Sequence, residues 1–384
     1  MQKTMTKRLR IFAGPNGSGK YRIKMMKFLK LQFAVVLAVI IAGCSRQSDS
    51  VVLAYVTSWS SVMPDPNYVT HINYAFGHVN ETFNGVMINS LSRNDDGRAT
   101  NEDRLLSIVK LKKQKPTLKV LLSIGGWGSG RFSEMAADEA NRLAFAADCR
   151  RVIQEFGLDG IDMDWEYPTS ASAGISSSPE DTENFTLLMR DIRQAIGKDK
   201  LLTFASIASA KFVDFKAVEP YIDFINIMTY DMGRPPYHHA AFQPSELSSL
   251  SCVESVDRHV EAGIAIHKLT LGIPFFGRGT DIIPPNIDYR NLINKGGALG
   301  IVANRRIVGL EGFEEKWDEE AQVPYWVDAD GKFVLTFETP RSIAIKCKWL
   351  KQKGMLGAMY WDYNGDDEAG TLRKATYDGV MKSR

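Results

Sequence analysis

Cysteine and histidine are scarce in this sequence, and their placement excludes two common kinds of stabilising site. Four cysteines are spread over 384 residues, and the six histidines, two of them adjacent at 238 and 239, have no metal-ligand spacing. Thiols so scattered favour neither a disulfide framework nor a structural zinc site. We therefore expect no metal and no cofactor.

The sequence also lacks an excess of charge of either sign, with 47 basic and 45 acidic residues and a formal net charge of +2. Basic residues are interspersed with acidic ones, so nucleic acid is not an expected partner. Internal repeats and low-complexity tracts are missing as well. The length permits one large α/β domain or two smaller ones, and we expect a monomer.

A long hydrophobic run is also lacking, except for a short one near the N-terminus. Residues 25–44 combine a basic start, an apolar run from Leu31 to Ala42 and small residues before Cys44, the layout of a secretory signal. The run is shorter than the roughly 20 apolar residues of a membrane-spanning helix. Its ending resembles a bacterial lipoprotein signal, which implies an acylated Cys44 and an exported protein anchored to the membrane through that lipid alone. A plain signal peptide with a chance cysteine is the alternative.

Residues 1–24 contain Gly14–Lys20, which fits the G-x-x-x-x-G-K part of a phosphate-binding loop. Tyr21 replaces the serine or threonine that would reach magnesium, and no nucleotide domain follows. We interpret residues 1–24 as a non-functional leader from an over-extended start.

From residue 51 onward, strand-like segments alternate with helical patterns. Near-continuous apolar runs are typical of parallel strands buried on both faces. Eight such runs occur: Val51–Val56, His71–Phe76, Lys119–Ile124, Gly160–Trp165, Leu201–Ile207, Phe224–Thr229, Leu269–Phe275 and Met355–Trp361. Apolar periodicity between them predicts helices at Ser133–Phe156, Thr182–Ile196, Cys252–Ile266 and Pro340–Lys353.

This alternation predicts an α/β fold, a (β/α)8 TIM barrel within residues 45–384. Periodicity alone leaves an open, doubly wound sheet as an alternative. The barrel is favoured because polar and aromatic residues gather at the carboxyl ends of the runs, where barrels carry their active sites. Residues from about 280 to 336 exceed a usual βα loop and include the turn Asp330-Gly331, which predicts a small α+β insertion after the seventh strand.

Acidic and apolar side chains alternate in the fourth run, Asp159–Glu166. Because successive strand residues point to opposite faces, Asp162, Asp164 and Glu166 share one face, with neighbours roughly 6.5–7 Å apart. Crowded carboxyls raise the free energy of ionising one another, a cost that indicates chemical use. A divalent-cation site is the alternative, but the glycine and later glutamate of an EF-hand loop are missing.

The same run resembles the D-G-x-D-x-D-x-E signature of glycoside hydrolase family 18, the retaining chitinases and endo-β-N-acetylglucosaminidases. Further motifs similar to those of the family follow on the expected strands: Ser123–Trp127, Ile227–Asp231, Gly272–Arg278 and Trp361. The resemblance covers about residues 51–384 and also implies the insertion. Phe276 departs from it, since many chitinases have tyrosine there.

The resemblance implies roles for four residues. Glu166 would protonate the leaving glycosidic oxygen and later activate water, while the substrate's own acetamido oxygen attacks the anomeric carbon. Asp164 would orient the acetamido group, and Asp162 would share a proton with Asp164. Tyr230 would donate its hydroxyl to the same acetamido group. The intermediate would be an oxazolinium ion, and the reaction would retain the β configuration.

Apolar sugar faces stack on aromatic rings, and hydroxyls need polar partners. The predicted substrate-binding residues are Trp361, Asp231, Met228, Trp127, Tyr55, Phe76 and Arg278. Trp361 is expected beneath the reacting sugar, although it could instead plug the barrel. Tyr55, Phe76 and Met228 could equally belong to the core. His238 and His239 are expected on a loop after the sixth strand, and neither is assigned a role from the sequence.

The predicted partner is an oligo- or polysaccharide that contains N-acetylglucosamine, and hydrolysis of its β-1,4 linkages is the leading hypothesis. An endo-β-N-acetylglucosaminidase acting on N-glycans would use the same chemistry. A non-hydrolytic chitin-binding lectin is disfavoured because lectin-like members typically lose the acid that Glu166 supplies. A peptidoglycan-directed glucosaminidase is a further alternative, although no wall-binding repeat is visible.

Overall fold

The computed structural model describes residues 50–88, 101–280, 283, 286–292, 302–303, 306–307 and 312–382. The predicted leader, the signal peptide and Cys44 lie outside the described residues, as does part of the predicted insertion. Within the described ranges, no helix is both long enough and apolar enough to cross a membrane.

Eight parallel strands pair in a closed ring, which confirms the barrel over the open sheet. The strands are β1 Val51–Thr57, β2 His71–Val79, β3 Lys119–Gly125, β4 Gly160–Asp164, β5 Leu201–Ile207, β6 Phe224–Met228, β7 Leu269–Pro274 and β8 Gly357–Trp361. Each pairs with the next along the chain, and β8 closes the ring against β1. All eight predicted runs are therefore strands.

Both faces of the barrel strands are buried, which explains why the runs are almost continuously apolar. In β4, Ile161 and Met163 belong to the cluster that packs between strands and helices. Trp165, just after the strand, belongs to it too. The inward positions of β4 are thereby left to Asp162 and Asp164, both buried. Strand periodicity alone thus directs the acidic side chains into the barrel.

Helices cover the outside of the ring. Among the described residues the helices are α1 Asn101–Val109, α2 Phe132–Ala137, α3 Glu139–Phe156, α4 Asp181–Ile196, α5 Phe215–Val218, α6 Cys252–Glu261, α7 Tyr289–Leu292, α8 Pro340–Lys353 and α9 Thr371–Met381, of which the short α7 belongs to the insertion. The predicted helices at Thr182–Ile196 and Pro340–Lys353 are confirmed. The prediction that a helix continues to Ile266 is wrong, because α6 ends at Glu261 and Gly263 takes a positive φ of 108°.

The single helix predicted at Ser133–Phe156 is also wrong, because Asp138 divides it into α2 and α3. Asp138 is extended, with φ −98° and ψ 126°, and its side chain accepts a hydrogen bond from the backbone amide of Asn141. An aspartate in that conformation is a favourable N-cap for the second helix. The predicted end at Gly157 is confirmed, since this glycine caps α3 in the left-handed conformation.

A second sheet is inserted between β7 and β8. Its five antiparallel strands are Phe276–Gly279, Ile287–Asp288, Glu314–Asp318, Val323–Val327 and Phe333–Thr336. The last two form the predicted hairpin around Asp330-Gly331. A separate antiparallel pair joins Val302–Ala303 to Arg306–Ile307. The sheet begins directly after β7, so its first strand stands at the carboxyl end of the barrel.

Candidate active site

Asp162 is the deepest of the three acids and is completely buried within the ring. Its two oxygens accept hydrogen bonds from four side chains on neighbouring strands: Tyr55 Oη at 2.9 Å, Ser123 Oγ at 2.8 Å, Thr203 Oγ1 at 2.5 Å and Asn226 Nδ2 at 3.1 Å. Burial raises the pKa of Asp162 despite these donors. No hydrogen bond joins Asp162 to Asp164, so the implied sharing of a proton is not seen in this arrangement.

Asp164 ends β4 and opens onto a cleft. Its Oδ1 atom is buried and accepts no hydrogen bond from the described protein. Burial raises the pKa of Asp164 well above its ordinary value, and the charges of Glu166 and Asp162 raise it further. A buried acceptor without a donor is unfavourable, so this carboxyl, which lines the cleft, is suited to receive a hydrogen bond from a ligand.

Glu166 lies two residues beyond the end of β4 and also lines the cleft. Burial raises the pKa of its carboxyl to about 7, the hydrogen bond with Tyr167 opposes the shift, and the charge of Asp231 adds to it. A carboxyl with a pKa close to neutral can both give and take a proton during one reaction cycle. Glu166 therefore has the properties of a general acid/base.

The cleft has a volume of about 700 Å³ and brings together nearly all the predicted site residues. Those that line it are Glu166, Asp164, Tyr230, Trp361, Asp231, Met228, Trp127, Tyr55, Phe76 and Arg278. Asp162 is the exception, since it lies beneath the floor. The rings of Trp361 and Phe76 are stacked at 5.5 Å and 17°, which forms an apolar platform. Their binding roles stay predictions.

Trp361 ends β8 and lines the cleft, and its side chain also packs against the interior cluster. From the sequence, Tyr55, Phe76 and Met228 could have belonged either to the core or to the site, and they belong to both. All three line the cleft and also pack in the interior cluster, so they serve as wall and core together.

Arg278 has a partner within the protein. Its guanidinium donates to both carboxylate oxygens of Asp231, with Nη2 at 2.6 Å from Oδ2, and lies over the ring of Phe276 at 4.7 Å. Burial favours a higher pKa for Asp231, but the neighbouring His239 and Arg278 outweigh it and lower the pKa. Asp231 is therefore ionised at neutral pH.

Several cleft residues were not predicted from the sequence. They are Trp59, Tyr167, Ser172, Ala205, Ile207, Arg234, Phe276 and Asn286. Trp59 follows β1 and is 62% exposed, so an aromatic residue at a strand end was the available signal. Tyr167 was readable from its position after Glu166. Arg234 and Asn286 lie on loops whose path the strand pattern does not determine.

The described part of the chain contains no group of three histidine, cysteine, aspartate or glutamate side chains arranged to hold a metal ion. Asp162, Asp164 and Glu166 are held by hydrogen bonding and burial at different depths. Their arrangement thus offers proton transfer and a hydrogen-bond acceptor directed into the cleft.

A family model and a sequence relative both match most of this chain. The family model for glycosyl hydrolases family 18 matches residues 51–366. Chitinase A1 of Niallia circulans is 30% identical over 432 aligned positions, which cover 89% of this chain but only 61% of that protein. The chain thus spans less than two thirds of that relative.

Solved structures of similar proteins extend the comparison. A glycoside hydrolase family 18 N-acetylglucosaminidase from Paenibacillus barengoltzii is 34% identical with a TM-score of 0.71, covering 86% of this chain and 99% of that one. Chitinase ChiW from Paenibacillus sp. is 28% identical with a TM-score of 0.76, covering 87% and 43%. The family match spans the whole ring and every acidic residue of β4, and on that ground the chain belongs to glycoside hydrolase family 18.

Proposed function

We propose that this protein hydrolyses β-1,4 linkages between N-acetylglucosamine units in chitin or chito-oligosaccharides. Relatives from bacteria and insects at 29–30% identity are named chitinases. The cleft supplies an aromatic platform, an acid/base and an acceptor within one volume of about 700 Å³.

The observation that carries the proposal is the carboxyl of Asp164, which lines the cleft and whose buried Oδ1 has no donor within the described protein. An acetamido N–H is the donor that a 2-acetamido sugar would bring to this depth. The high pKa of Asp164, due first to burial and then to neighbouring charge, also allows its carboxyl to be either proton donor or acceptor there. A sugar without the acetamido group would leave the oxygen unpaired, which is the basis of discrimination.

In the proposed reaction, Glu166 donates its proton to the glycosidic oxygen as the bond to the anomeric carbon breaks. The acetamido oxygen of the same sugar attacks that carbon and forms an oxazolinium ion, the route of this family's substrate-assisted hydrolysis. Asp164 holds the acetamido N–H, and the Tyr230 hydroxyl at the cleft wall donates to the acetamido group. Glu166, now ionised, takes a proton from water as the water opens the ring with retention.

The test is turnover of a labelled chito-oligosaccharide by the purified protein, with the anomer of the product followed by NMR. We expect β product first. The Glu166→Gln variant should lose at least about 10³-fold in kcat, because a general acid/base step is removed, while sugar binding measured by calorimetry persists. Glu183→Gln makes the same change on the exposed side of α4 and is the matched control. A wild type that binds these sugars and cleaves none over hours would establish a lectin instead.

A second candidate is the release of single N-acetylglucosamine units from chain ends. The Paenibacillus barengoltzii structure, named an N-acetylglucosaminidase, favours it at 34% identity. The product pattern on a hexamer separates the two, since monomer alone would indicate end-release and internal oligomers would indicate endo-cleavage. Trimming of a high-mannose glycopeptide without action on the hexamer would favour the N-glycan alternative.

We further propose that Cys44 is acylated and anchors the exported protein to a membrane. The support is the signal-like layout of residues 25–44. Cys44→Ser, expressed in a bacterium that processes lipoproteins, should move the protein from the membrane fraction to the soluble fraction, with the specific activity unchanged. An equal membrane fraction for both forms would contradict the anchor.

A further inference from the structure

The imidazole of His239 is buried behind the cleft without a hydrogen-bond partner. The residue is 0% exposed, and neither ring nitrogen forms a hydrogen bond within the described protein. An unpaired buried polar group destabilises a fold, and the proposed mechanism so far gives this side chain no task.

The ring of His239 is directed at Asp231. Its Nδ1 lies 3.9 Å from Oδ1 of Asp231, too long for a hydrogen bond but close enough to become one after a small shift. The backbone holds the residue in this place, because its amide donates to Thr336 Oγ1 at 3.2 Å and its carbonyl accepts from the amide of Met232 at 3.0 Å. The ring also packs on Phe276, with centroids 5.3 Å apart.

The conformation of Asp231 is one that neighbouring side chains have to stabilise. Its φ of 57° is in the left-handed region, which is unfavourable for a residue other than glycine. It lines the cleft, and its charge contributes to the raised pKa of Glu166. Arg278 holds it from one side, and a sugar that competes for this guanidinium would loosen that hold.

We propose that His239 is a positioning residue, whose Nδ1–H donates to Asp231 once a sugar fills the cleft and so keeps that carboxylate facing Glu166. The inference rests on the proposed function. Hydrogen bonds in active sites are often long without substrate and tighten in the complex, as the 3.9 Å separation would require.

The charged groups around His239 are consistent with a neutral ring. Asp231 follows β6, Arg278 lies on the first strand of the insertion, and Glu338 precedes α8. Burial lowers the pKa of His239, and although Asp231 and Glu338 raise it, the net direction is down. The imidazole therefore carries one hydrogen at neutral pH and can donate it to the ionised Asp231.

The adjacent His238 provides a matched control. It is equally buried, but its Nε2 contacts Asp318 at 3.1 Å, and its Nδ1 lies 3.5 Å from Thr336 Oγ1. These contacts fasten the loop to the insertion and do not reach the cleft.

The experiment measures kcat/KM against pH, with melting temperature recorded for each variant. His239→Leu removes the donor, His239→Asn keeps an amide nitrogen on Cγ where Nδ1 stood, and His239→Gln moves it to the far end of the side chain. We expect a loss of roughly tenfold at the optimum for Leu and Gln, the size of one hydrogen bond to a charged group. In these two variants, the basic limb of the profile of kcat/KM against pH should also move to lower pH, because a displaced Asp231 no longer raises the pKa of Glu166. Asn should retain the wild-type profile.

His238→Leu should lower the melting temperature and leave the pH profile unchanged. Wild-type profiles for both His239→Leu and His239→Gln would overturn the inference, as would an equal shift for Asn. If the Leu variant fails to fold, the contrast between Asn and Gln still decides. A wild type without turnover would count against the proposed function itself, and the inference would fall with it.

Discussion

At Glu166, the burial that suits the carboxyl for proton transfer also makes its ionised form destabilising. Its pKa rises from 4.5 to about 7 on folding, first because of burial. Between these values the folded protein holds a proton that the unfolded chain has lost. Folding stability therefore falls as pH rises through this window, and the full penalty is present above pH 7.

Glu166→Gln should consequently be more stable than the wild type in alkaline solution but not in acid. An amide cannot ionise, so above pH 7 we expect a gain of about 1–3 kcal/mol in the free energy of unfolding, at 1.36 kcal/mol per pKa unit. Loss of the Glu166 charge also lowers the pKa of Asp164, which acts in the same direction. Urea denaturation of the wild type and Glu166→Gln at pH 4 and pH 8 measures this difference in the free energy of unfolding. A difference that is the same at both values would contradict the account.

The positions of the site residues could be predicted from the sequence where strand periodicity determines which way a side chain points. Alternation placed Asp162 and Asp164 inside the ring, and the strand ends placed Trp361 at the cleft. The pair of Asp231 and Arg278 could not be found in this way. It joins residues 47 positions apart, and their contact depends on how the insertion leaves β7.

Among the elements, all the barrel strands were predictable, whereas two of the four predicted helices had a wrong boundary. A buried parallel strand has a strong apolar signal over five to nine residues, whereas a helix end is decided by one capping residue. The apolar stripe continues from Met135 to Ile153 as if α2 and α3 were one helix. Asp138 interrupts it, because its side chain competes for a backbone amide three residues ahead.

Asp138→Ala should therefore destabilise the protein without affecting turnover. Loss of an aspartate N-cap costs about 1 kcal/mol, and α3 lies outside the ring, away from the cleft. Asp138→Asn retains an acceptor oxygen and serves as the control, with a loss of a few tenths of a kcal/mol at most. Thermal unfolding and the chito-oligosaccharide assay together check this. A variant as stable as the wild type would show that the cap contributes nothing here.

On the scale of the whole molecule, side-chain contacts join the barrel, the insertion and α8. His238 reaches Asp318 of the inserted sheet, and Lys346 of α8 donates to the carbonyl of Ala240 at 2.7 Å. Both contacts hold the far part of the loop that follows β6, at least seven residues beyond Asp231. To the cleft itself the inserted sheet contributes Phe276 and Arg278.

Lys346 also forms a completely buried ion pair with Glu338. Removing one member leaves the other charge without a partner in the interior, so Lys346→Met should cost about 3–5 kcal/mol. The double variant Lys346→Met, Glu338→Gln leaves neither charge of this pair in the interior. In the wild type, the hydroxyl of Ser342 donates to Glu338 at 2.5 Å, and the glutamine can still accept this hydrogen bond. We expect the double variant to recover at least half of the free energy of unfolding that Lys346→Met loses, as measured by urea denaturation. If single and double variants were equally unstable, the contact of Lys346 with Ala240, and not the balance of charge, would be what stabilises this corner of the molecule.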